Sequence, residues 1–261
     1  MAKMVGEYGG RRIGYFMCEA TEMYPHLIQS ANRFDEVWTA STFCQEILQA
    51  HIDPVVKLVP HHASGYQYCP TAHDKPRILI SFDAHSRVQR KNPIQAIQVV
   101  KRALGDACKL IIKCKNVESH MLKWMYQECE GLDVTILNEE VSPEDMSTLY
   151  KSIDVYLGLH TAEGFGLQLL EAMALGKKVV ATNYGGNTDF MNDKNSFPVG
   201  YKMTPVTDDH FIGEWAQPDL DDAVDKLREA VKVDFEINQA AFETALNYSL
   251  TNTIRHTLRA L

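Results

Sequence analysis

No run of about 18 apolar residues occurs in this 261-residue chain, so no membrane-spanning helix is expected. The opening residues, MAKMVGEYGGRRIGYF, hold no apolar core of the kind a secretory signal needs, and a cytoplasmic protein is expected. A basic surplus is also missing. The formal net charge is −8, which argues against general nucleic-acid binding but leaves room for a local basic pocket facing a phosphorylated small molecule. The six cysteines include no CxxC pair, so zinc-site spacing is absent and free thiols are expected. No repeat or low-complexity segment is found. The G-x-G-x-x-G turn of nicotinamide-dependent dehydrogenases, with an acidic residue about 20 positions later, is missing as well.

What is present is an ordinary globular composition, 45% hydrophobic and 23% charged, in a length that suits one large domain or two small ones. RIGYFMC (12–18), EVWTA (36–40) and VVKLVP (55–60) read as strands with helices between them. Residues 61–76 are looser, carry Gly, Ser and Pro, and form a candidate linker. Beyond it the alternation is clean, with strands at 77–83, 109–115, 133–138, 153–159 and 178–183. Helices at 93–104, 118–130, 142–152 and around FGLQLLEAMALG lie between them, and the tail from Pro218 is helical in period. Pro93 and Pro143 fit first helical turns, Ser142 an N-cap, and Gly176 a helix stop. Continuous apolar strands separated by helices predict a parallel sheet covered on both faces. Such sheets bind ligands at the carboxyl ends of their strands, so the loops after Asp83, Lys115, Asn138, Leu159 and Asn183 should share one rim.

Candidate chemistry collects on that rim. Arg87, Arg90 and Lys91 fall within five positions, either as a solvated turn or as a diphosphate clamp. Lys113, near the end of the next strand, can add to the same field. Gly164 and Gly166 allow close backbone approach before a helix whose free N–H groups favour an anion. Glu163 precedes that helix, and Glu171 lies on it one turn beyond Leu167, on the side that a bound ligand would run along. Gly185 and Gly186 form another tight loop, with Asn187 a candidate N-cap. His160 reads either as a base or donor to a sugar hydroxyl or as a structural residue, and Glu19, ending the first strand, as a surface carboxylate.

The stretch HTAEGFGLQLLEAMALGKKVVATNYGGNTDFM resembles the signature of family 4 retaining glycosyltransferases of GT-B fold. Their hallmark, two glutamates separated by seven residues, falls on Glu163 and Glu171. SFDAHSRVQRKNP, GGNTDFMNDKNSFPV, GEWAQPDLDDAV and IGYFMCEATEMYP extend the likeness over most of the chain. The resemblance implies a nucleotide-sugar-binding domain over residues 67–261 and a reduced acceptor-side segment over 1–66. It implies that Glu171 holds the ribose, Glu163 the donor sugar, and Arg90 with Lys91 the diphosphate. Amides of Phe165, Gly166 and Leu167 would lie against phosphate or sugar, and Leu137 and Asn138 would flank the base. The co-substrate would be a nucleoside-diphosphate sugar, leaning to GDP (a GDP-mannose type) or UDP, with no metal and no other cofactor. The acceptor would be a glycan or another molecule.

Thr161 and Lys178 depart from the family pattern without consequence for this reading. The short first segment has more: the glycine loop and histidine of the family's acceptor domain have no counterpart. Two expectations follow, a transferase with a reduced acceptor side, or a nucleotide-sugar-binding subunit or fragment inactive without a partner acceptor domain; a homo-oligomer and a partner subunit are both open for its assembly.

Overall fold

The computed structural model describes residues 10–63, 65–232 and 234–261. The first lobe is β1 (Ile13–Tyr15), α1 (Pro25–Ala31), β2 (Glu36–Thr39), α2 (Thr42–His51) and β3 (Val55–Leu58). Its three strands are parallel in the order β1-β2-β3. Val37 and Val56 pack with Leu48 and Ala31 under the two helices. Ser41 caps α2 by accepting from the Cys44 amide.

The second lobe opens with β4 (Arg77–Asp83), the short α3 (Val88–Lys91), α4 (Pro93–Ala103), β5 (Lys109–Lys115), α5 (Ser119–Glu128) and β6 (Asp133–Asn138). It continues through α6 (Pro143–Lys151), β7 (Val155–Gly158), α7 (Leu167–Ala174), β8 (Lys178–Thr182) and β9 (Phe197–Val199). Six parallel strands lie in the order β6-β5-β4-β7-β8-β9. This doubly wound order reverses direction between β4 and β7, and a crevice opens at that point. Alternate residues separate two cores. Ile78, Ile80, Leu110 and Ile112 face Ile97 of α4 and Met125 of α5. Leu79, Ile111 and Tyr156 face Tyr150 of α6 and Leu170 of α7. The period of two that the sequence displays is thus used on both faces.

The remaining elements are β10 (Tyr201–Pro205), β11 (Glu214–Pro218), α8 (Leu220–Ala230), α9 (Phe235–Leu246) and α10 (Leu250–Ala260). The end of α10 returns to the first lobe, where Lys57 Nζ donates to the Ala260 carbonyl at 2.5 Å and Arg11 to that of Leu261 at 3.0 Å. Among the described residues no helix is long and apolar enough to cross a membrane. The six cysteines are free thiols.

Strands β4, β5 and β6 span the expected residues. The strands expected from the sequence stop at 178–183, and the structure corrects this: β9, β10 and β11 follow. β9 is three residues long with Pro198 at its centre, and the antiparallel β10–β11 pair is largely exposed along β10, so neither carries a long apolar run. The first strand is also shorter than expected, with Met17 to Glu19 leaving the sheet toward the crevice.

Candidate active site at the strand switch point

The crevice is lined by Ser81 of β4, Tyr156 to Gly158 of β7, Lys91, His160, Glu163 and the first turn of α7. Glu163 sits on the loop leaving β7. Lys91 Nζ lies 2.5 Å from its Oε2, and Arg90 Nη1 lies 3.5 Å from the same oxygen. Burial pushes this carboxyl up, but Lys91 and Arg90 outweigh it and hold it at about 2. Glu163 is therefore an anion at neutral pH.

Arg90 is buried and its bonds are spent within the protein. Nη1 reaches Glu19 Oε1 at 2.9 Å and donates to the Ala162 carbonyl at 3.0 Å, while Nε donates to that of Ser86 at 3.0 Å. Glu19 is thus no surface group. It crosses from the first lobe to share Arg90 with Glu163. Burial pushes its carboxyl up and the charge of Arg90 opposes that rise. A carboxylate near the exit of a parallel strand was the available signal for Glu19.

Lys91 faces the crevice, whereas Arg90 stands behind it. Arg87 does not join them. It takes a positive φ of 68° between the turn at 84–86 and α3. From there it lines a separate cleft with His85, Asn116 and His120, so the three neighbouring cations of the sequence divide between two places.

The glycines bring two loops into backbone contact. The Gly186 amide donates to the Glu163 carbonyl at 2.7 Å. A Cβ on Gly185 would stand 2.4 Å from that carbonyl oxygen, and one on Gly186 would stand 2.1 Å from that of Gly164. Gly166 takes φ of 90° at the start of α7. Ser41 of the first lobe donates to the Gly164 carbonyl at 2.6 Å. The Phe165 ring is buried among His61, Phe190 and Tyr248, and the neighbouring Gly166 and Leu167 line the crevice. Leu167 begins the helix half-exposed.

Asn187 is not a helix N-cap. It is buried, donates to the Thr182 carbonyl at 2.9 Å and offers its own oxygen to His160 Nε2 at 3.1 Å. His160 Nε2 also lies 3.0 Å from the Tyr184 carbonyl, which requires that nitrogen to carry the proton. Burial lowers the imidazole pKa, so the ring is neutral and its Nε2 serves the fold.

Glu171, one turn into α7, is half-buried and faces the hydroxyls of Tyr66 and Tyr150. Burial pushes its carboxyl up, and the two hydroxyls hold that rise back. The Tyr150 hydroxyl is itself buried without a well-aligned partner. Gln168 bridges the Tyr156 hydroxyl at 3.1 Å and Ser81 Oγ at 3.2 Å. Lys113 and Leu137 stand in register with Ser81 across β5 and β6. The Asn138 side chain instead bonds the Val117 backbone, fixing the turn after β5. Sequence reasoning missed Tyr66, Tyr150 and Gln168, which no local motif marks. Among the described residues no group of three His, Cys, Asp or Glu side chains forms a cation site.

The low Glu163 pKa predicts a pH signature. A folded value of about 2 against an ordinary 4.5 corresponds to roughly 3 kcal/mol of stability. Because the value is lowered on folding, this contribution is complete above 4.5 and is lost as pH falls toward 2. The stability difference between the wild type and Glu163→Gln, followed by denaturant melts, is expected to shrink across that window. A difference independent of pH would contradict the assigned ion pairs.

A parallel sheet with a carboxylate, a lysine and a helix start at its switch point forms a crevice suited to a phosphorylated ligand. A family model described as glycosyl transferases group 1 matches residues 71–231, and the chain belongs to that family. Its fold is GT-B-like, with one Rossmann-like parallel-sheet domain and a smaller α/β lobe.

Among curated proteins, the GtfA subunit of the Streptococcus gordonii UDP-N-acetylglucosamine–peptide N-acetylglucosaminyltransferase is 24% identical over 195 residues, 72% of this chain and 37% of that protein. The D-inositol 3-phosphate glycosyltransferase of Paenarthrobacter aurescens is 28% identical over 181 residues, 67% of this chain and 41% of that one. The structure of S. aureus TarM with UDP superposes with a TM-score of 0.74 at 17% identity, covering 95% of this chain and 50% of that protein. The chain thus spans less than half the length of these curated relatives.

Proposed function

We propose that this chain binds a nucleoside-diphosphate sugar in the crevice between β4 and β7 and transfers the sugar to an acceptor hydroxyl with retention. One observation carries the reading. An ionised glutamate, held by Lys91 and Arg90, lies beside the first turn of α7 at the switch point. Breaking the sugar–phosphate bond leaves negative charge on the diphosphate and positive character on the anomeric carbon. Lys91 and the amides of Phe165, Gly166 and Leu167 meet the first, with the charge of Arg90 close behind. Anionic Glu163 meets the donor sugar. Glu171 accepts from the ribose hydroxyls in the setting that Tyr66 and Tyr150 provide. These fixed cations supply the compensation for which some transferases use a metal, so turnover is expected to persist in chelator. Uridine and guanosine donors are the leading candidates, and the UDP in the TarM structure favours uridine.

A melting panel with GDP, UDP, ADP and dTDP tests the site. Saturation at 100 times the dissociation constant adds about 2.7 kcal/mol, or roughly 5–10 °C. No shift with any of the four would refute the donor site. Glu171→Ala is expected to weaken the preferred diphosphate by about 10-fold or more, because a charge-assisted bond is worth roughly 1.5–3 kcal/mol. Unchanged affinity by calorimetry would remove Glu171 from the ribose.

A second reading has its own support, since the chain covers less than half of relatives of which one is named a subunit. In that reading the chain holds the donor and a partner completes the acceptor side. Sugar transfer to an acceptor by the isolated chain would exclude it.

A further inference from the structure

Lys113 carries a charge that the fold leaves unanswered. It is 7% exposed, yet its side chain forms no hydrogen bond or ion pair among the described residues. An ammonium withdrawn from water without a partner is costly, and such groups ordinarily find a carboxylate or a carbonyl. Ile111, two residues earlier, packs in the core beneath α6 and α7, and Lys113 rises from the same face of β5. Its neighbours across the sheet on that face are Ser81 of β4 and Leu137 of β6. Tyr66 and Tyr150, which face Glu171, border the same core.

Position separates Lys113 from the phosphate end of the crevice. Lys91, Glu163 and the start of α7 lie where β4 and β7 diverge. Strand β5 is on the far side of β4, about 10 Å from β7 at two strand spacings. That is the order of the span from a nucleoside diphosphate's terminal phosphate to its base. Glu171 gives the ribose a partner toward this same core, and Leu137 offers an apolar flank to a ring.

We infer that Lys113 reads the base of the bound nucleotide and selects uracil or guanine over cytosine or adenine. An ammonium only donates hydrogen bonds. Uracil presents O4, and guanine O6, where cytosine and adenine present an amino group that also only donates. Facing Lys113, the oxo bases gain a charge-assisted bond and the amino bases meet a second donor. This inference rests on the nucleoside-diphosphate reading of the site and narrows it to a substrate class.

The test is calorimetric binding of UDP, GDP, CDP and ADP to the wild type and to Lys113→Met, which keeps an unbranched apolar stem and removes the charge. The wild type is expected to prefer UDP over CDP, or GDP over ADP, by about 10-fold or more. In Lys113→Met that preference is expected to collapse through loss of the oxo-base nucleotides, with ADP and CDP unchanged. The substitution removes an unpaired buried charge, so the variant is expected to melt no lower than the wild type. Equal weakening of all four nucleotides would place Lys113 on the phosphates and overturn the inference, as would a wild type indifferent to the base. Failure of the wild type to bind any of the four would instead overturn the donor site itself.

Discussion

Arg90→Met is expected to lower stability by roughly 3–5 kcal/mol, the range for removing one partner of a buried charge cluster. For a chain of this size that is on the order of 10 °C in melting temperature. The reason lies in what Arg90 holds together. Its guanidinium joins Glu19 of the first lobe, Glu163 of the crevice and the carbonyls of Ser86 and Ala162. Without it Glu163 keeps Lys91, but Glu19 loses its ion-pair partner. The raised pKa of Glu19 means that burial already disfavours its charge. Arg90→Met with Glu19→Gln should therefore recover part of the loss, since contacting residues couple by about 0.5–3 kcal/mol. Arg90→Lys should fall in between, because a point charge does not reproduce a fork with four partners. Thermal and denaturant melts of the three variants and the wild type provide the measurement. A melting temperature for Arg90→Met within a degree or two of wild type would mean that the cluster contributes nothing to joining the lobes.

Gly186→Ala is expected to cost roughly 3 kcal/mol and to abolish nucleotide binding with it. The added Cβ would stand 2.1 Å from the Gly164 carbonyl oxygen and 2.6 Å from the Phe165 Cα. Both are backbone atoms, so no side chain can swing aside. The loop bearing Glu163 must move, and the bond from the Gly186 amide to the Glu163 carbonyl breaks. Gly200→Ala is the control. Its Cβ would meet only Asp222 Oδ2, at 3.4 Å, and its backbone has no positive φ. If both substitutions melt alike and both variants bind nucleotide, the contact between the two loops does not set the site.

Much of the second lobe was legible beforehand because its causes are local. The apolar runs of β4 and β5 define strands by themselves, and Ser142 with Pro143 starts α6 as expected, the serine accepting from the Asp145 amide. The spacing of Glu163 and Glu171 singled out two carboxylates that the fold sets on the loop after β7 and on α7. The hairpin of β10 and β11 escaped because its stability comes from pairing across an intervening loop, not from its own apolar pattern.

The sequence by itself determined the alternation of strands and helices from β4 to β8 and the rim that their loops share, and it singled out Glu163 and Glu171 by their spacing. These depend on periodicity, caps and short spacings, which act between near neighbours. Only the tertiary structure decided which charges meet. It split Arg87 from Arg90, although they are three positions apart, because a positive-φ turn sends them to different clefts. It joined Lys91 to Glu163 across 72 positions and brought Glu19 over from the other lobe. It also buried the Lys113 side chain without a partner among the described residues. Ionic contact and burial depend on distance in space, and in a doubly wound sheet the chain makes neighbours of residues that the sequence keeps far apart.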